Sequence, residues 1–225
     1  MRIAYPIVTW LLKSITSLLC RIDDTQLSKV PARGPLILAV NHINILDVPV
    51  LYTRLLPRPI TGFVKREAWD DPIEGRLLAL WGGIPLDRGQ ADFAAFRQGV
   101  EMLEKGYILG VALEGTRNGD GRLLQVQPGV VLLALRSGAP VLPLVYYGHE
   151  NVWKNAKKLR RSDFNIVVGR PFHIVPEEQR VSSEVTRQMA SEVMYQLAGL
   201  LPEAYRGDYA DPGKATTRYL RFVAD

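Results

Sequence analysis

From residue 30 onward the chain alternates short, wholly apolar runs with longer amphipathic ones. Residues 35–40, PLILAV, form a continuous apolar run between Gly34 and Asn41, the pattern of a strand covered on both faces. Residues 59–64, 107–113 and 140–146 repeat it, and 164–168, FNIVV, supplies a late strand. Helical spacing fills the intervals. Phe93, Phe96, Val100 and Leu103 share one face of 91–105, with Asp92 as N-cap and Gly106 as stop. Residues 128–136, PGVVLLALR, read as a buried helix, with Pro128 in its first turn and Gly138 beyond its end. A long helix is expected over 182–201, with Val185, Met189, Val193 and Leu197 on its apolar side. Strands separated by helices need crossover connections, and these give parallel neighbours. The expected fold class is α/β: a single domain with a largely parallel or mixed sheet flanked by helices.

The N-terminal stretch has a different character. Residues 3–20 are apolar but for Lys13 and a few hydroxyls. No uncharged run reaches the roughly 18 residues of a spanning helix. On a helical wheel Ile7, Val8, Trp10, Leu11, Ile15, Leu18 and Leu19 share a broad arc opposite Thr9, Lys13, Thr16 and Ser17. We read a helix lying in a membrane interface, or dipping shallowly into it. A helix packed on the core and a cleaved signal are the alternatives, although no small-x-small cleavage site follows. The predicted organisation is a membrane-interface segment over 1–28 and one domain over 29–225. The expected location is membrane-associated, monotopic or peripheral, on the cytoplasmic face.

Composition narrows the chemistry. One cysteine, Cys20, excludes an internal disulfide, and His42, His149 and His173 are too far apart in sequence for a local metal motif. The net charge of +5 suits an anionic partner such as a phosphate or a phospholipid surface. The run KNAKKLRR at 154–161 carries five positive charges and no acid. It reads either as a solvated face or as a contact for lipid headgroups or for an acidic carrier protein. No nucleic-acid motif accompanies it.

Four short motifs follow or lie in apolar strands. NHINILD at 41–47 follows the first, at the strand edge where open α/β sheets bind ligands. A tight turn there would let Asp47 reach one nitrogen of His42, leaving the other as a general base; a structural His–Asp pair is the plainer reading. GGIPLDRG at 82–89 offers Arg88, whose planar fork suits phosphate, or else a surface Arg–Asp pair. ALEGTRNGDGR at 112–122 brings Glu114, Gly115, Thr116 and Arg117 to another strand end, or forms only a solvated turn. APVLPLVYYG at 139–148 reads first as core strand. GxSxG is absent and Cys20 lies in the N-terminal segment, so a covalent hydrolase is disfavoured.

In order and spacing these blocks resemble the 1-acyl-sn-glycerol-3-phosphate acyltransferase family of glycerolipid acyltransferases, over roughly residues 30 to 150. Its NH-x4-D block corresponds to His42 with Asp47, and its G-x5-R block to Gly82 through Arg88. Its EGTR block corresponds to Glu114 through Arg117, and its proline-bearing block to Pro140 through Pro143. The resemblance implies that His42 is the general base and Asp47 its partner. It implies that Arg88, Glu114, Gly115, Thr116 and Arg117 bind the acceptor's phosphate, with Lys65 nearby. The implied reaction is acyl transfer from an acyl thioester, on coenzyme A or acyl carrier protein, to the sn-2 hydroxyl of lysophosphatidic acid, without cofactor or metal. Partners are then the lysophospholipid, the thioester, the membrane surface and an acyl carrier protein. Asn44 stands where many relatives carry serine, Pro85 where many carry an aromatic, and Ala112–Leu113 where Phe-Pro is usual. These departures leave the acceptor open to another lysolipid or hydroxyl compound. Two readings of other classes are a non-catalytic membrane-binding protein, which has no need of a paired base, and a metal-dependent phosphate-ester hydrolase, for which too few ligands cluster.

Overall fold

In the computed structural model, which describes residues 4–87, 92–178 and 180–224, the apolar runs lie side by side in one sheet. The strands among the described residues are β1 (Cys20–Asp23), β2 (Leu36–Val40), β3 (Ile60–Lys65), β4 (Ile84–Leu86), β5 (Ile108–Ala112), β6 (Val141–Tyr147), β7 (Ser162–Val168), β8 (Phe172–Ile174) and β9 (Leu220–Phe222). Their order is β1-β7-β6-β2-β5-β3-β4, with β8 on β6 and β9 on β8. The stretch from β6 to β4 is parallel throughout, whereas β7 and β8 run antiparallel to β6. The mixed sheet expected from the alternation is thus present. At its centre Leu38 lies opposite Gly110 on one side and Leu142 on the other.

The α-helices are α1 (Ala4–Leu19), α2 (Asp47–Arg54), α3 (Glu74–Leu80), α4 (Phe93–Glu104), α5 (Gly129–Ser137), α6 (Val152–Ala156) and α7 (Ser183–Leu200). The period of two along β2 divides the core. Ile37 and Ala39 join Leu103 of α4, Val131 and Ala134 of α5, and Val193 and Leu197 of α7. Leu36, Leu38 and Val40 join Val50 and Leu51 of α2, with Tyr5, Leu12 and Leu19 of α1 against them. Each fully buried Leu, Ile or Val stabilises by about 1.5–3 kcal/mol. Helix ends follow their residues. Asp92 accepts from Ala95 N–H at 2.9 Å and Ser182 from Val185 N–H at 3.2 Å. Gly138 closes α5 at φ 66, where only glycine is unstrained.

The N-terminal segment is not an appendage. β1 pairs in parallel with β7, so the boundary expected at 28/29, in the 3-10 turn Thr25–Lys29, leaves one strand of the sheet on its N-terminal side. Cys20 is fully buried within the apolar cluster beneath α2, close enough for the Asp47 charge to act on it. α1 packs on α2 through a stripe holding Tyr5, Leu12, buried Thr16 and Leu19. The Arg54 guanidinium clamps the junction, 2.9 Å from Ser17 Oγ and 2.6 Å from Asp24. Ile7, Trp10, Leu11, Ile15 and Leu18 face outward and stay exposed. Among the described residues, no helix is long and apolar enough to cross a membrane.

Candidate active site

The chain leaves β2 through Asn41, a buried amide that takes the place of ladder groups. Its Nδ2 donates to Tyr146 O at 3.0 Å and its Oδ1 accepts from Tyr146 N–H at 2.8 Å. β2 and β6 part here, at the carboxyl edge of the parallel strands, and the next residues turn into α2. Asp47, the first residue of α2, closes that turn. Its Oδ2 accepts from the N–H of Ile43 at 2.7 Å and of Asn44 at 3.1 Å, backbone donors of the turn that leads into the helix. The same Oδ2 lies 2.7 Å from His42 Nδ1. An ionised carboxylate only accepts, so Nδ1 carries the proton and Nε2 presents a lone pair. Arg117 Nε donates to that Nε2 at 3.3 Å, and His42 itself lines the cavity described below.

Asp47 has a second imidazole. His149, completely buried just beyond β6, places Nε2 2.6 Å from Asp47 Oδ1. Burial pushes the Asp47 carboxyl upward, but the hydrogen bonds it accepts from His149 and His42 outweigh it and hold it below the usual carboxylate range. His42 and His149 are distant in sequence, yet they share one carboxylate. Spacing along the chain concealed this. The available signal was position alone: His149 follows an apolar strand, as His42 does. Asn44 is tied to the same place, donating Nδ2 to His149 O at 3.2 Å and accepting from Leu46 N–H at 2.9 Å.

The EGTR block follows β5 and folds over the His42 loop. Asn118 N–H donates to His42 O at 2.9 Å and Gly119 N–H to Ile43 O at 3.2 Å. Gly115 takes φ 69, and an added Cβ would stand 3.1 Å from Gln127 Cγ. Glu114 lines the same cavity as Gly115, Thr116 and Arg117, although its carboxylate is engaged by the protein itself. Its carboxylate is buried beneath the loops, accepting from Asn118 Nδ2 at 3.1 and 3.2 Å, from Leu124 N–H at 3.4 Å and from the backbone of His42. Burial pushes its pKa up to about 7. Thr116 and Arg117 stay exposed at the rim, where Arg117 lies 3.5 Å from Glu74 of α3. Lys65, half-buried at the end of β3, lies on the cavity wall. Arg88 lies outside the described residues. Its neighbour Asp87 pairs with Arg66 at 2.5 and 2.9 Å.

The cavity holds about 1160 Å³. His42, Thr116, Arg117 and Lys65 mark its polar side, and Ile45, Val48, Phe63, Leu77, Trp81 and Phe96 supply apolar wall. A neutral imidazole facing such a space, its tautomer fixed by a buried carboxylate, can take a proton from a bound hydroxyl.

Known proteins share this arrangement of chain. A 1-acyl-sn-glycerol-3-phosphate acyltransferase of Bacillus subtilis (strain 168) is 25% identical over 162 residues, 72% of this chain and 79% of its own length. One of Pseudomonas aeruginosa is 29% identical over 157 residues, 68% of this chain and 61% of its own length. One of Limnanthes alba is 34% identical over 117 residues, 51% of this chain and 41% of its own length, so the chain spans less than two thirds of these last two. The crystal structure of the 1-acyl-sn-glycerophosphate acyltransferase PlsC from Thermotoga maritima superimposes with a TM-score of 0.61 over 87% of this chain and 78% of its own. At 22% identity that likeness concerns the fold. A family model described as Acyltransferase matches residues 21–147, more than half of the chain, from within β1 to the end of β6. The chain therefore belongs to the acyltransferase family.

Proposed function

We propose that this acyltransferase moves a fatty acyl group from an acyl thioester, on coenzyme A or acyl carrier protein, to the sn-2 hydroxyl of 1-acyl-sn-glycerol 3-phosphate. The relatives' names support this acceptor. The observation that carries the mechanism is the 2.7 Å contact of His42 Nδ1 with buried Asp47 beside a cavity that His42 lines; with the proton on Nδ1, Nε2 is the base. The acceptor hydroxyl displaces Arg117 from Nε2, and His42 takes its proton as the oxygen attacks the thioester carbonyl. The carbon–sulfur bond breaks, and the thiolate recovers the proton from the imidazolium. Asp47 stabilises the cation between these steps. Arg117, with Thr116 and the Gly115 turn, takes the acceptor's phosphate beside Lys65 on the cavity wall, and Glu114 and Arg88 are the further phosphate-binding candidates of the two motifs. The apolar wall receives an acyl chain. No cofactor or metal takes part. General base catalysis contributes about 10²–10⁴ in rate and the positioning of two substrates much of the rest.

The lipid acceptor requires bilayer access, and we propose a monotopic or peripheral protein on the cytoplasmic face. The outward apolar stripe of α1 and the basic run 154–161 support that reading.

The test is thiol release from long-chain acyl-CoA and acyl carrier protein, with and without chelator, over a panel of lysophosphatidic acid, other lysolipids and a monoacylglycerol. Release that depends on lysophosphatidic acid and persists in chelator is expected. Release with another acceptor alone would reassign the substrate, and none with any acceptor would leave a lipid-binding protein. Arg117→Ala should raise KM for the phosphorylated acceptor about 10–100-fold, the loss of a charged hydrogen bond, with little change for the thioester.

A further inference from the structure

We infer that His149 is a positioning residue of this site: buried behind Asp47, it donates Nε2–H to Oδ1 and so fixes the orientation and the charge that the carboxylate presents to His42. This rests on the function proposed above.

Asp47 is 2% exposed, and its two oxygens are served differently. Oδ2 has three donors: His42 Nδ1–H and the N–H groups of Ile43 and Asn44. Oδ1 has His149, at 2.6 Å. Without His149 that oxygen would face the apolar cluster of Cys20, Val152 and Phe164, a costly place for an unpaired anionic atom. The His149 ring is held for this task. It stacks on Phe164 with centroids 3.8 Å apart and planes 20° apart. Its carbonyl accepts from Asn44 Nδ2 at 3.2 Å and Val152 N–H at 3.1 Å.

The other ring nitrogen settles the ring's role. His149 Nδ1 is buried with no hydrogen-bond partner among the described residues. A proton there would leave an N–H without an acceptor, inside the core and on a cationic ring. The neutral Nε2–H tautomer avoids both costs. His149 is therefore a fixed neutral donor. It is no proton relay, because its far nitrogen leads nowhere.

The donor spreads the Asp47 charge over both oxygens. Removing it concentrates negative charge on Oδ2, toward His42, and strengthens the hold on the imidazolium. The base then stays protonated to higher pH. The other ionisable groups facing this pair are Arg117 and Glu114 on the loop after β5, with Glu74 of α3 behind Arg117, and Cys20 of β1 and Tyr146 of β6 beside Asp47. Burial pushes the Cys20 thiol up to about 11 and the Tyr146 phenol upward, so neither charges near neutrality. Glu114, at about 7, titrates in range. It is present in every variant below, so differences between variants belong to residue 149.

The experiment is the pH dependence of kcat and kcat/KM for wild type, His149→Phe and His149→Gln on the acceptor that the wild type uses. His149→Phe should lower kcat about tenfold, leave acceptor KM within about twofold, and move the acid limb of kcat/KM up by about half to one pH unit. The glutamine amide can donate to Oδ1, so His149→Gln should restore both kcat and the limb most of the way. An unmoved limb in His149→Phe, or a His149→Gln variant no better than His149→Phe, overturns the inference. One measurement needs neither variant nor turnover. In ¹⁵N-histidine NMR spectra of the wild type under the assay conditions, His149 should show Nε2 protonated and Nδ1 bare. A protonated Nδ1 overturns the inference, and this readout stands even if no acceptor in the panel is used.

Discussion

At the scale of single residues the site is a carboxylate with two imidazoles, and its halves differ in how they show in sequence. His42 and Asp47 lie five positions apart in one turn, so their contact is local chemistry that spacing can express. His149 reaches Asp47 only because β6 lies beside β2, and a sequence carries no such neighbour relation. Glu114 was legible as a motif member, whereas its hydrogen bonds to Asn118 and to the backbone of Leu124 were not, because the loop after β5 has no periodicity to read. His42→Ala should lower turnover by at least about 10² with the unfolding midpoint unchanged. Asp47→Asn should be nearly as harmful, because an amide can favour the wrong tautomer; steady-state kinetics on folded variants checks both. Glu114 also gives a pH dependence of stability. Its carboxyl is at about 7 in the folded chain against 4.5 as the ordinary value, so folding favours its protonated form. That contribution is full below pH 4.5, falls as pH rises and is gone above about 7. It amounts to at most about 3 kcal/mol, at 1.36 kcal/mol per unit. Urea midpoints at pH 5 and 7.5 should therefore differ less in Glu114→Gln than in wild type.

At the scale of elements, legibility followed burial. β2, β3, β5 and β6 are apolar runs covered on both faces, and each lies within a residue or so of its expected bounds. α4, α5 and α7 carry caps that their sequences announce. The elements missed are those whose order comes from neighbours. β1 is four residues, CRID, at the sheet edge beside β7. α2 has a proline in its first turn, and α6 is five residues long. β8 and β9 are three residues each and pair with one another. What holds β9 is a buried carboxylate on α7. Glu192 accepts from Thr216 Oγ1 at 2.6 Å and from the N–H groups of Arg218 and Tyr219 at 3.0 Å. On the sequence it is one more polar residue of an amphipathic helix. Glu192→Ala would orphan the buried Tyr219 N–H, at about 1–3 kcal/mol, and at less cost the Arg218 N–H and Thr216 hydroxyl of exposed residues. A loss of about 1–3 kcal/mol in urea unfolding is expected, with Glu192→Gln milder because one oxygen still accepts. An alanine variant within about 0.5 kcal/mol of wild type would show that the C-terminal strand is held by its apolar contacts alone.

At the scale of the molecule, the proposed attachment to a bilayer rests on the outer face of α1 and on the basic run 154–161. Deleting α1 would be a poor probe of this, since Tyr5, Leu12, Thr16 and Leu19 belong to the fold. Its outer stripe can be changed without touching them. Ile7, Trp10 and Leu18 are 60%, 69% and 75% exposed. The basic run adjoins the same helix: Arg161 donates to Ser17 O and Cys20 O, each at 2.6 Å. Beside it Trp153 is exposed, and Leu159 is 97% exposed at a positive φ of 54. A hydrophobic and an electrostatic contribution to the proposed membrane binding are thus separable by substitution. Salt screens exposed charges over about 10 Å at 0.1 M and less at higher concentration, but does not weaken the burial of apolar side chains. Wild type should float with anionic liposomes at both low and high salt. With Ile7, Trp10 and Leu18 changed to serine, the protein should keep its unfolding midpoint, float at low salt and be released at high salt. With Lys154, Lys157, Lys158 and Arg160 changed to serine, and Arg161 kept for its contacts to α1, high-salt flotation should persist while the low-salt preference for anionic over neutral liposomes is lost. Activity on bilayer substrate should fall in the first variant more than activity on a soluble short-chain acceptor, because only the former requires the site to stand at the surface. High-salt flotation of the serine-striped variant equal to wild type would place the anchor on another face of the molecule and leave the outward stripe of α1 without a role in attachment.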